Sequence, residues 1–387
     1  MLDRLFSPRS IAVIGASKTV GKVGYLTLSN LVQSGFQGPI VPINSAGGEL
    51  FGLPVYKQLA DYPDAIDLVV IAVPAEMVPA AARDAVAKKA GAVVVVASGF
   101  KEAGPEGRAL EDELIAICQR GGVRLLGPNC LGVINTAIRM NASFSRRIPQ
   151  AGSMAIFSQS GALCTAMMDI ADERELGVSK AISIGNKADI TEVDVLEALA
   201  EDEDTKVIVG YLEDISDGDR FVKAAEAASN RKPVVILKAG TTTAGSRAAA
   251  NHTGVLVGKD TAYGAAFKRA GICRADTFDA LFDSATALAL QPTPKGDRVL
   301  IITNSGGSGT ISADAVEKAG LTVAPLGEEL ARQLRRALPD AAFIDNPIDI
   351  SAAAEPRHYA AALDIVAAEG SFDAGLIVLA PQYMTEP

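Results

Sequence analysis

The chain has 387 residues, of which 49% are hydrophobic, and a formal net charge of −10. This length predicts roughly two or three domains with sizeable cores, and an acidic chain without a basic stripe is not typical of a nucleic-acid-binding protein. Its four cysteines are widely spaced, which argues against a zinc site and a disulfide framework and favours a cytoplasmic location. Its apolar runs are far shorter than the ~20 residues of a membrane span, which argues against a membrane protein.

Short β-branched runs alternate with Ala-rich, amphipathic stretches over the first third of the chain. The runs occupy 10–17, 39–44, 68–74, 92–100 and 124–129, and helical patterns fill 75–90 and 105–120. Apolar strands separated by helices are typical of a parallel sheet that is buried on both faces. The sequence therefore predicts an α/β fold that begins with a Rossmann-type domain over residues 1–127.

The same alternation continues in two further blocks. Strands are predicted at 153–159, 180–186, 206–213 and 233–240, and another starts at 298 after a Pro-bearing linker. Both blocks open with a strand, a Ser/Gly turn and a helix, which predicts flavodoxin-like parallel α/β domains over 128–290 and 296–387. Because the last strand is followed by only six residues, we expect the third domain to be incomplete.

A glycine-rich loop, "IGASKTVGKVGY", follows the first strand and opens a helix. Such a turn lets backbone N–H groups approach a phosphate at the helix N-terminus. The spacing of Gly15, Gly21 and Gly24 is not GxGxxG, and the second strand ends at Asn44 without an acidic residue for a ribose. The loop therefore disfavours NAD and favours a ligand with a phosphate near its ribose; a tight turn without a ligand is the alternative.

One of the two histidines lies in "AANHTGVLVG", residues 249–258. The surrounding segment, 239–258, is rich in small residues and has little apolar periodicity, so it predicts a long irregular loop. Loops of that length are uncommon in compact domains unless they are functional.

An ordered set of motifs carries a resemblance to a known family. "LFSPRSIAVIGAS", "LLGPNCLGVIN", "FSQSGAL", "SIGNKADI", "NHTG", "TNSGGSG" and "NPIDIS" occur in this order and resemble the ADP-forming acyl-CoA synthetases, relatives of succinyl-CoA synthetase, over essentially the whole chain. The resemblance implies a CoA-binding domain, a ligase domain with a phosphohistidine loop, and a further flavodoxin-like domain. It also implies that ATP and Mg²⁺ bind an ATP-grasp domain that lies outside this chain, on a β-type subunit or a missing C-terminal part.

The resemblance also implies roles for individual residues. His252 would carry the phosphoryl group, and Glu213, at the end of a strand, would accept the ring N–H and fix the tautomer; the nearby Asp214 and Asp217 are alternatives for that role. His358 is interpreted as a surface or structural residue. Two turns would bind phosphate: Ser158, Gln159, Ser160 and Gly161, and Ser305, Gly306, Gly307 and Ser308. The expected CoA-binding residues are Gly15, Ala16, Ser17, Lys18, Val20, Asn44, Val73, Pro74, Ser98, Gly99, Phe100 and Asn129.

One departure from the family pattern lies near the expected CoA site. Relatives commonly have a lysine after the Asn-Pro that ends the second strand, whereas this chain has "PINSAGG". The sequence predicts an acid–CoA ligase that works as an oligomer, and leaves open the acid, the choice of ATP or GTP and the number of subunits. A non-catalytic CoA-binding regulatory module, as in related protein acetyltransferases, is the alternative; a sensor would need neither His252 nor Glu213. An NAD-linked oxidoreductase is disfavoured by Asn44.

Overall fold

The computed structural model describes residues 2–253 and 260–381, without the side chains of 250–253. Contacts divide the chain into two compact units, Met1–Gln291 and Pro292–Pro387. The boundary predicted near residue 127 falls between two sheets of the first unit, and one hydrophobic cluster contains residues of both sheets, including Val70 and Phe157. The division into three domains stays a prediction.

The first sheet has five parallel strands in the order β2-β1-β5-β6-β7. Along its strands, alternate side chains enter two different cores: Val13 and Val70 lie in one, and Ala12 and Val69 in the other. Burial on both faces explains why these strands read as continuous apolar runs. The elements of this part are α1 (Asp3–Phe6), β1 (Ile11–Ile14), α2 (Val23–Gln33), β2 (Ile40–Ile43), β3 (Gly48–Leu50), β4 (Leu53–Val55), β5 (Leu68–Ile71), α3 (Val78–Ala87), β6 (Ala92–Val95), α4 (Pro105–Gly121) and β7 (Arg124–Leu126).

The second sheet has seven strands in the order β14-β13-β12-β10-β11-β8-β9. The four pairings among the strands from β14 to β11 are parallel, as predicted. In contrast, β8 and β9 form an antiparallel hairpin on β11 that the sequence analysis did not predict. The elements are β8 (Gly132–Asn135), β9 (Met140–Ser143), β10 (Ala151–Ser158), α5 (Gly161–Glu173), β11 (Val178–Ser183), α6 (Glu192–Glu201), β12 (Val207–Leu212), α7 (Gly218–Ser229), β13 (Val234–Lys238), α8 (Thr243–Thr253), α9 (Asp260–Arg269), β14 (Cys273–Ala275) and α10 (Phe278–Leu290).

The second unit contains a smaller parallel sheet in which β15 pairs with β16, β17 and β18. Its elements are β15 (Arg298–Thr303), α11 (Gly306–Lys318), β16 (Thr322–Val323), α12 (Glu328–Ala337), β17 (Ile348–Asp349), α13 (Pro356–Glu369) and β18 (Ala374–Val378). His358 accepts a hydrogen bond at Nδ1 from the Glu355 N–H at 2.9 Å, so it caps α13 and has the structural role expected of it. None of the described helices combines the length and apolar character that a membrane span requires.

The prediction of an irregular loop over 239–258 is wrong for its central part. Residues Thr243–Thr253 form α8, which Thr242 starts: its Oγ1 accepts a hydrogen bond from the Gly245 N–H at 3.1 Å. The run of alanines at 248–250 favours a helix, and this preference outweighed the lack of apolar periodicity. The backbone of His252 lies in α8, whereas its side chain and residues 254–258 lie outside the described residues.

Candidate active site

Strand register brings the loops of each sheet in the first unit to a common edge. In the first sheet Ile14 pairs with Ile43 and Ile71, so Gly15 and Asn44 follow neighbouring strand ends. In the second sheet Ser158 pairs with Ser183 and Tyr211, so the Ser/Gly turn lies beside Glu213. The carboxyl edge of a parallel sheet is where such folds bind ligands.

The first glycine loop is packed so tightly that only glycine fits at two positions. A Cβ on Gly15, whose φ is +91°, would lie 2.4 Å from the Ala72 carbonyl oxygen, and a Cβ on Gly24 would lie 2.0 Å from the Gly15 oxygen. The first turn of α2 therefore rests directly on the loop. No described side chain caps this helix N-terminus, which leaves its first N–H groups available to a phosphate.

Asn44 and Lys18 hold the next part of the loop. The Asn44 Nδ2 donates to the Ala16 oxygen at 2.6 Å, and its Oδ1 accepts from the Ala46 N–H at 2.9 Å. Asn44 therefore shapes the loop with its side chain. The Lys18 ammonium lies 3.2 Å from the position of a Cβ on Gly48, so Lys18 brings a positive charge to the segment where the family lysine is missing. Val20 lies exposed on the same loop.

Two adjoining cavities connect this loop to the second sheet. The first has a volume of about 410 Å³ and the second about 500 Å³, and both are lined by Val23, Val96 and Ala97. Because the sequence analysis expects CoA to bind here, we call the two cavities together the CoA groove. Its first part is lined by the predicted residues Gly15, Ser17, Asn44, Val73 and Pro74, and its second part by Ser98, Asn129, Gln159, Ser160 and Gly161. Seven of the twelve predicted CoA-binding residues and three residues of the first predicted phosphate turn thus line one groove.

Three predicted residues have buried side chains and do not line the groove. Phe100, Ala16 and Ser158 are fully buried, and the ring of Phe100 packs in the core of the first sheet. The sequence analysis read Phe100 as part of a ligand loop because it ends the "SGF" segment, but the hydrophobic ring is more stable in the core.

Glu102, which the sequence analysis missed, folds the loop at 98–100. Its Oε1 accepts hydrogen bonds from the N–H groups of Gly99 and Phe100 at 2.7 and 3.1 Å. Burial favours the neutral acid, but hydrogen bonds, above all from Asn186, hold the pKa of Glu102 below its ordinary value. The ionised carboxylate therefore keeps two backbone donors of the loop occupied.

The first phosphate turn is held by its own serines. Ser158 Oγ donates to the Ser160 oxygen at 2.7 Å and accepts from the Ser160 N–H at 3.1 Å. Ser160 Oγ in turn accepts from the Leu163 N–H at 3.3 Å and caps α5. Ser158 therefore has a structural part in the turn, and Ser160 and Gly161 face the groove.

The second unit builds the same turn after β15. Thr303 Oγ1 accepts from the Ser305 N–H at 3.2 Å and lies 3.4 Å from the Ser305 oxygen, so Thr303 replaces Ser158 in the repeat. Beside this turn lies a carboxylate: Asp349 Oδ2 is 3.1 Å from the position of a Cβ on Gly306. The phosphate-binding role of Ser305–Ser308 stays a prediction, and Asp349 distinguishes this turn from the first.

Glu213 follows β12 and is 5% exposed. Its N–H donates to Gln159 Oε1 at 2.9 Å, and Lys238 Nζ donates to its carbonyl oxygen at 2.7 Å. Burial, reinforced by the Glu213 carboxylate and its hydrogen bond to the hydroxyl, raises the pKa of Tyr211. Tyr211 therefore remains a hydrogen-bond donor to Glu213 at neutral pH. The neighbouring Lys238 is also affected, because burial lowers its pKa to about 8.

The two alternative acids have other partners. Asp214 forms an ion pair with Lys187 at 3.0 Å, and Asp217 Oδ1 accepts from the Arg220 N–H at 3.0 Å as the cap of α7. Asp214 and Asp217, the two alternatives to Glu213, are thus engaged in an ion pair and a helix cap. The backbone of α8, which contains His252, lies next to the Lys101–Ala103 turn. This turn follows the loop at 98–100, which we call the CoA loop because the sequence analysis expects it to contact CoA.

A cysteine also borders the groove. Burial raises the pKa of the Cys130 thiol to about 12. It therefore remains protonated at neutral pH and is a poor nucleophile.

Comparison with known proteins identifies the family. The chain matches family models described as a CoA binding domain over 9–136, a succinyl-CoA ligase like flavodoxin domain over 151–288 and a ligase-CoA domain over 299–379. It is 41% identical over 366 residues to the alpha subunit of acetate–CoA ligase [ADP-forming] I from Pyrococcus furiosus, covering 94% of this chain and 79% of that subunit. The chain belongs to the ADP-forming acyl-CoA synthetase family.

Two further relatives support the assignment to this family. Acetate–CoA ligase [ADP-forming] I from Archaeoglobus fulgidus is 42% identical over 380 residues, and this chain spans 55% of its length. The solved structure of dinucleotide forming acetyl-coenzyme A synthetase 1 from Ca. Korarchaeum cryptofilum, in complex with phosphate and ADP, has a TM-score of 0.96 and 38% identity, with 100% of this chain and 83% of that chain covered. The predicted family and α/β fold class, a Rossmann-type CoA-binding domain followed by flavodoxin-like folds, are confirmed.

Proposed function

We propose that this chain is the α-type part of an ADP-forming acid–CoA ligase, which makes acyl-CoA from a carboxylic acid, CoA and ATP through an acyl phosphate and a phosphohistidine at His252. The observation that carries the proposal is the CoA groove, which runs from the glycine loop to the Gln159–Gly161 turn beside Glu213. A thiol and a phosphorylated acid must meet in this reaction, and the groove offers each of them a site within one compact unit.

In the direction of synthesis, phosphohistidine 252 would transfer its phosphoryl group to the acid, so that the P–N bond breaks as a P–O bond forms. The sulfur of CoA would then attack the acyl carbon and expel inorganic phosphate, and the thiol proton would pass to solvent. The N–H groups at the start of α2 suit a phosphate of the CoA nucleotide. The Ser160–Gly161 end of α5 suits the phosphoryl group of the acid.

Glu213 would orient the histidine. A carboxylate that accepts one ring N–H leaves the other nitrogen unprotonated and nucleophilic. The backbone N–H of Glu213 donates to Gln159, its carbonyl oxygen accepts from Lys238, and its carboxylate accepts from Tyr211. These hydrogen bonds hold Glu213 in place for this role.

The remaining parts of the enzyme are proposed from the family. We place the CoA-binding domain at 1–127, the ligase domain at 128–290 and the start of a second flavodoxin-like domain at 296–387. The three matched domains do not include an ATP-grasp, so ATP and Mg²⁺ would bind a fused domain or a β-type subunit. The assembled ligase would be a cytoplasmic oligomer.

A comparison of CoA and NAD binding tests the assignment of the groove to CoA. We expect calorimetry to detect CoA binding to the chain and no saturable binding of NAD, because the second strand ends at Asn44. Gly24→Ala should weaken CoA binding by about tenfold or more, since its Cβ would overlap the Gly15 oxygen. Gly218→Ala, whose Cβ would meet no atom within 4 Å, is the matched control. Saturable NAD binding without CoA binding would refute the assignment of the groove.

The partial reactions test the division of labour. The chain alone should not make acyl-CoA from ATP, acetate and CoA, yet it should convert acetyl phosphate and CoA to acetyl-CoA and phosphate. Adding the ATP-grasp part should restore the ATP-dependent reaction, as followed by chromatography of acetyl-CoA. ATP-dependent turnover by the purified chain alone would contradict the proposed inventory. CoA binding without the acetyl phosphate reaction would favour the regulatory module.

A further inference from the structure

Lys187 is a buried lysine that the proposed chemistry does not use. It follows Asn186 after β11, its backbone is left-handed with a φ of +58°, and its side chain is 4% exposed. Its Nζ lies 3.0 Å from Asp214 Oδ2 and 3.2 Å from Glu192 Oε2, and it donates to the Asp214 carbonyl oxygen at 2.9 Å. One ammonium thus neutralises two carboxylates that are themselves 4% and 1% exposed.

Asp214, held by Lys187, in turn fixes the orientation of the Gln159 side chain. The Gln159 side-chain amide donates through Nε2 to Asp214 Oδ1. Its Oε1 accepts the N–H groups of Glu213 and Asp214 at 2.9 and 3.2 Å. Because the ionised Asp214 accepts from the amide nitrogen, the amide oxygen is directed at the Glu213 backbone, and Lys187 is what keeps Asp214 in this position.

The protonation state of Asp214 agrees with this hydrogen-bond arrangement. Burial alone would favour a neutral Asp214, but the Lys187 ammonium and the hydrogen bond from Gln159 hold the pKa of that carboxyl below its ordinary value. Asp214 is therefore an acceptor at neutral pH, as the Gln159 orientation requires.

The loop of Lys187 is also attached to the CoA-binding side of the groove. The Asn186 Nδ2 donates to Glu102 Oε2 at 2.6 Å and to Glu111 Oε2 at 2.8 Å, and Asn129 Nδ2 donates to Asn186 Oδ1 at 3.3 Å. Glu102 is the residue that folds the CoA loop. Lys187 thus lies between the CoA loop and the backbone of Glu213.

We propose that Lys187 is a positioning residue for phosphoryl transfer, which sets the place of Glu213 through Asp214 and Gln159. The inference rests on the proposed function, because Glu213 has to orient the histidine for its position to matter. A displacement of ~1 Å in such a group can slow a reaction by about 100-fold.

A double-mutant cycle tests the proposal. The full chain would be incubated with acetyl-[³²P]phosphate, which can phosphorylate His252 with release of acetate and needs no ATP. We expect Lys187→Met to slow labelling by about 100-fold, but by less than about threefold in a Glu213→Gln background, because effects that act through one residue are not additive. CoA affinity, measured by calorimetry, should change little.

Lys180→Met is the matched control. Lys180 lies on β11, the strand that precedes Lys187. Its side chain is also 4% exposed, and its Nζ pairs with Asp202 at 2.6 Å, away from the groove. Lys180→Met should show any loss of stability that comes from removing a buried lysine, but it should not slow labelling. If Lys187→Met does not fold, Asp214→Asn, which retains the Lys187–Glu192 pair, replaces it in the cycle.

Three outcomes would overturn the inference, and they distinguish its failure from failure of the proposed function. Equal slowing by Lys187→Met in both backgrounds, or equal slowing by Lys180→Met, would show a merely structural role while leaving the ligase assignment intact. Labelling of Glu213→Gln at the wild-type rate would overturn the role of Glu213 and, with it, the inference about Lys187.

Discussion

Replacing His252 with alanine is expected to abolish both phosphoryl labelling and acid–CoA ligation, and to leave CoA affinity nearly unchanged. Loss of a covalent nucleophile removes a whole step, so the residual rate should lie near background rather than a few-fold below wild type. CoA affinity should survive because the glycine loop follows β1 of the first sheet, whereas α8 lies between β13 and β14 of the second. The measurement uses the enzyme assembled with its ATP-grasp part, γ-³²P-ATP, and a test for acid-labile, base-stable label.

The second histidine provides the control for this experiment. The chain has two histidines, and His358 caps α13 in the second unit. His358→Gln should retain label and ligation, while His252→Asn should lose both. Normal labelling of His252→Ala would make "NHTG" an ordinary segment and would favour the CoA-binding regulatory module.

Glu213→Gln is expected to slow phosphorylation of His252 by about 10²–10⁴-fold while the protein stays folded. The amide retains the shape of the acid, and the backbone bond to Gln159 does not depend on the side chain, so the fold should persist. A glutamine can present an N–H to the ring, however, which favours the wrong tautomer, and a triad with the corresponding change loses a comparable factor. Single-turnover labelling measures the rate, and circular dichroism checks the fold.

Asp217→Asn separates this role from a general effect of the acidic loop. Asp217 caps α7 through the Arg220 N–H, and asparagine caps a helix about as well as aspartate. This variant should therefore label at nearly the wild-type rate. Strong slowing by Asp217→Asn, with little change in Glu213→Gln, would transfer the role to Asp217 and contradict the assignment made here.

Local patterns in the sequence predicted much of the fold. The predicted strands at 68–74 and 206–213 correspond to β5 and β12, because a strand buried on both faces needs a continuous apolar run. The structure adds that Gly15 and Gly24 pack against neighbouring backbone too closely for a Cβ, while the phosphate-binding role of their loop stays a prediction. The ordered motifs were sufficient to identify the family, since they do not depend on how the chain folds.

Prediction from local pattern failed where two preferences competed. Residues 239–258 lack apolar periodicity, yet the alanines at 248–250 and the cap at Thr242 produce α8. The β8–β9 hairpin was missed because it pairs antiparallel at the edge of a sheet that is otherwise parallel. Phe100 was assigned to the ligand loop although its ring is in the core.

The sequence by itself therefore determined the fold class, the family and the strand ends at which the ligand loops begin. Only the tertiary structure decided that these loops line adjoining cavities, that Asp214 is ion-paired with Lys187, and that Glu213 accepts a hydrogen bond from Tyr211. The physical reason is that a strand end is encoded by neighbouring residues, whereas a buried polar group is satisfied by whichever partner the packing brings to it. Glu102 and Asn186, 84 positions apart, meet at 2.6 Å because two sheets pack together, and no local pattern records that contact.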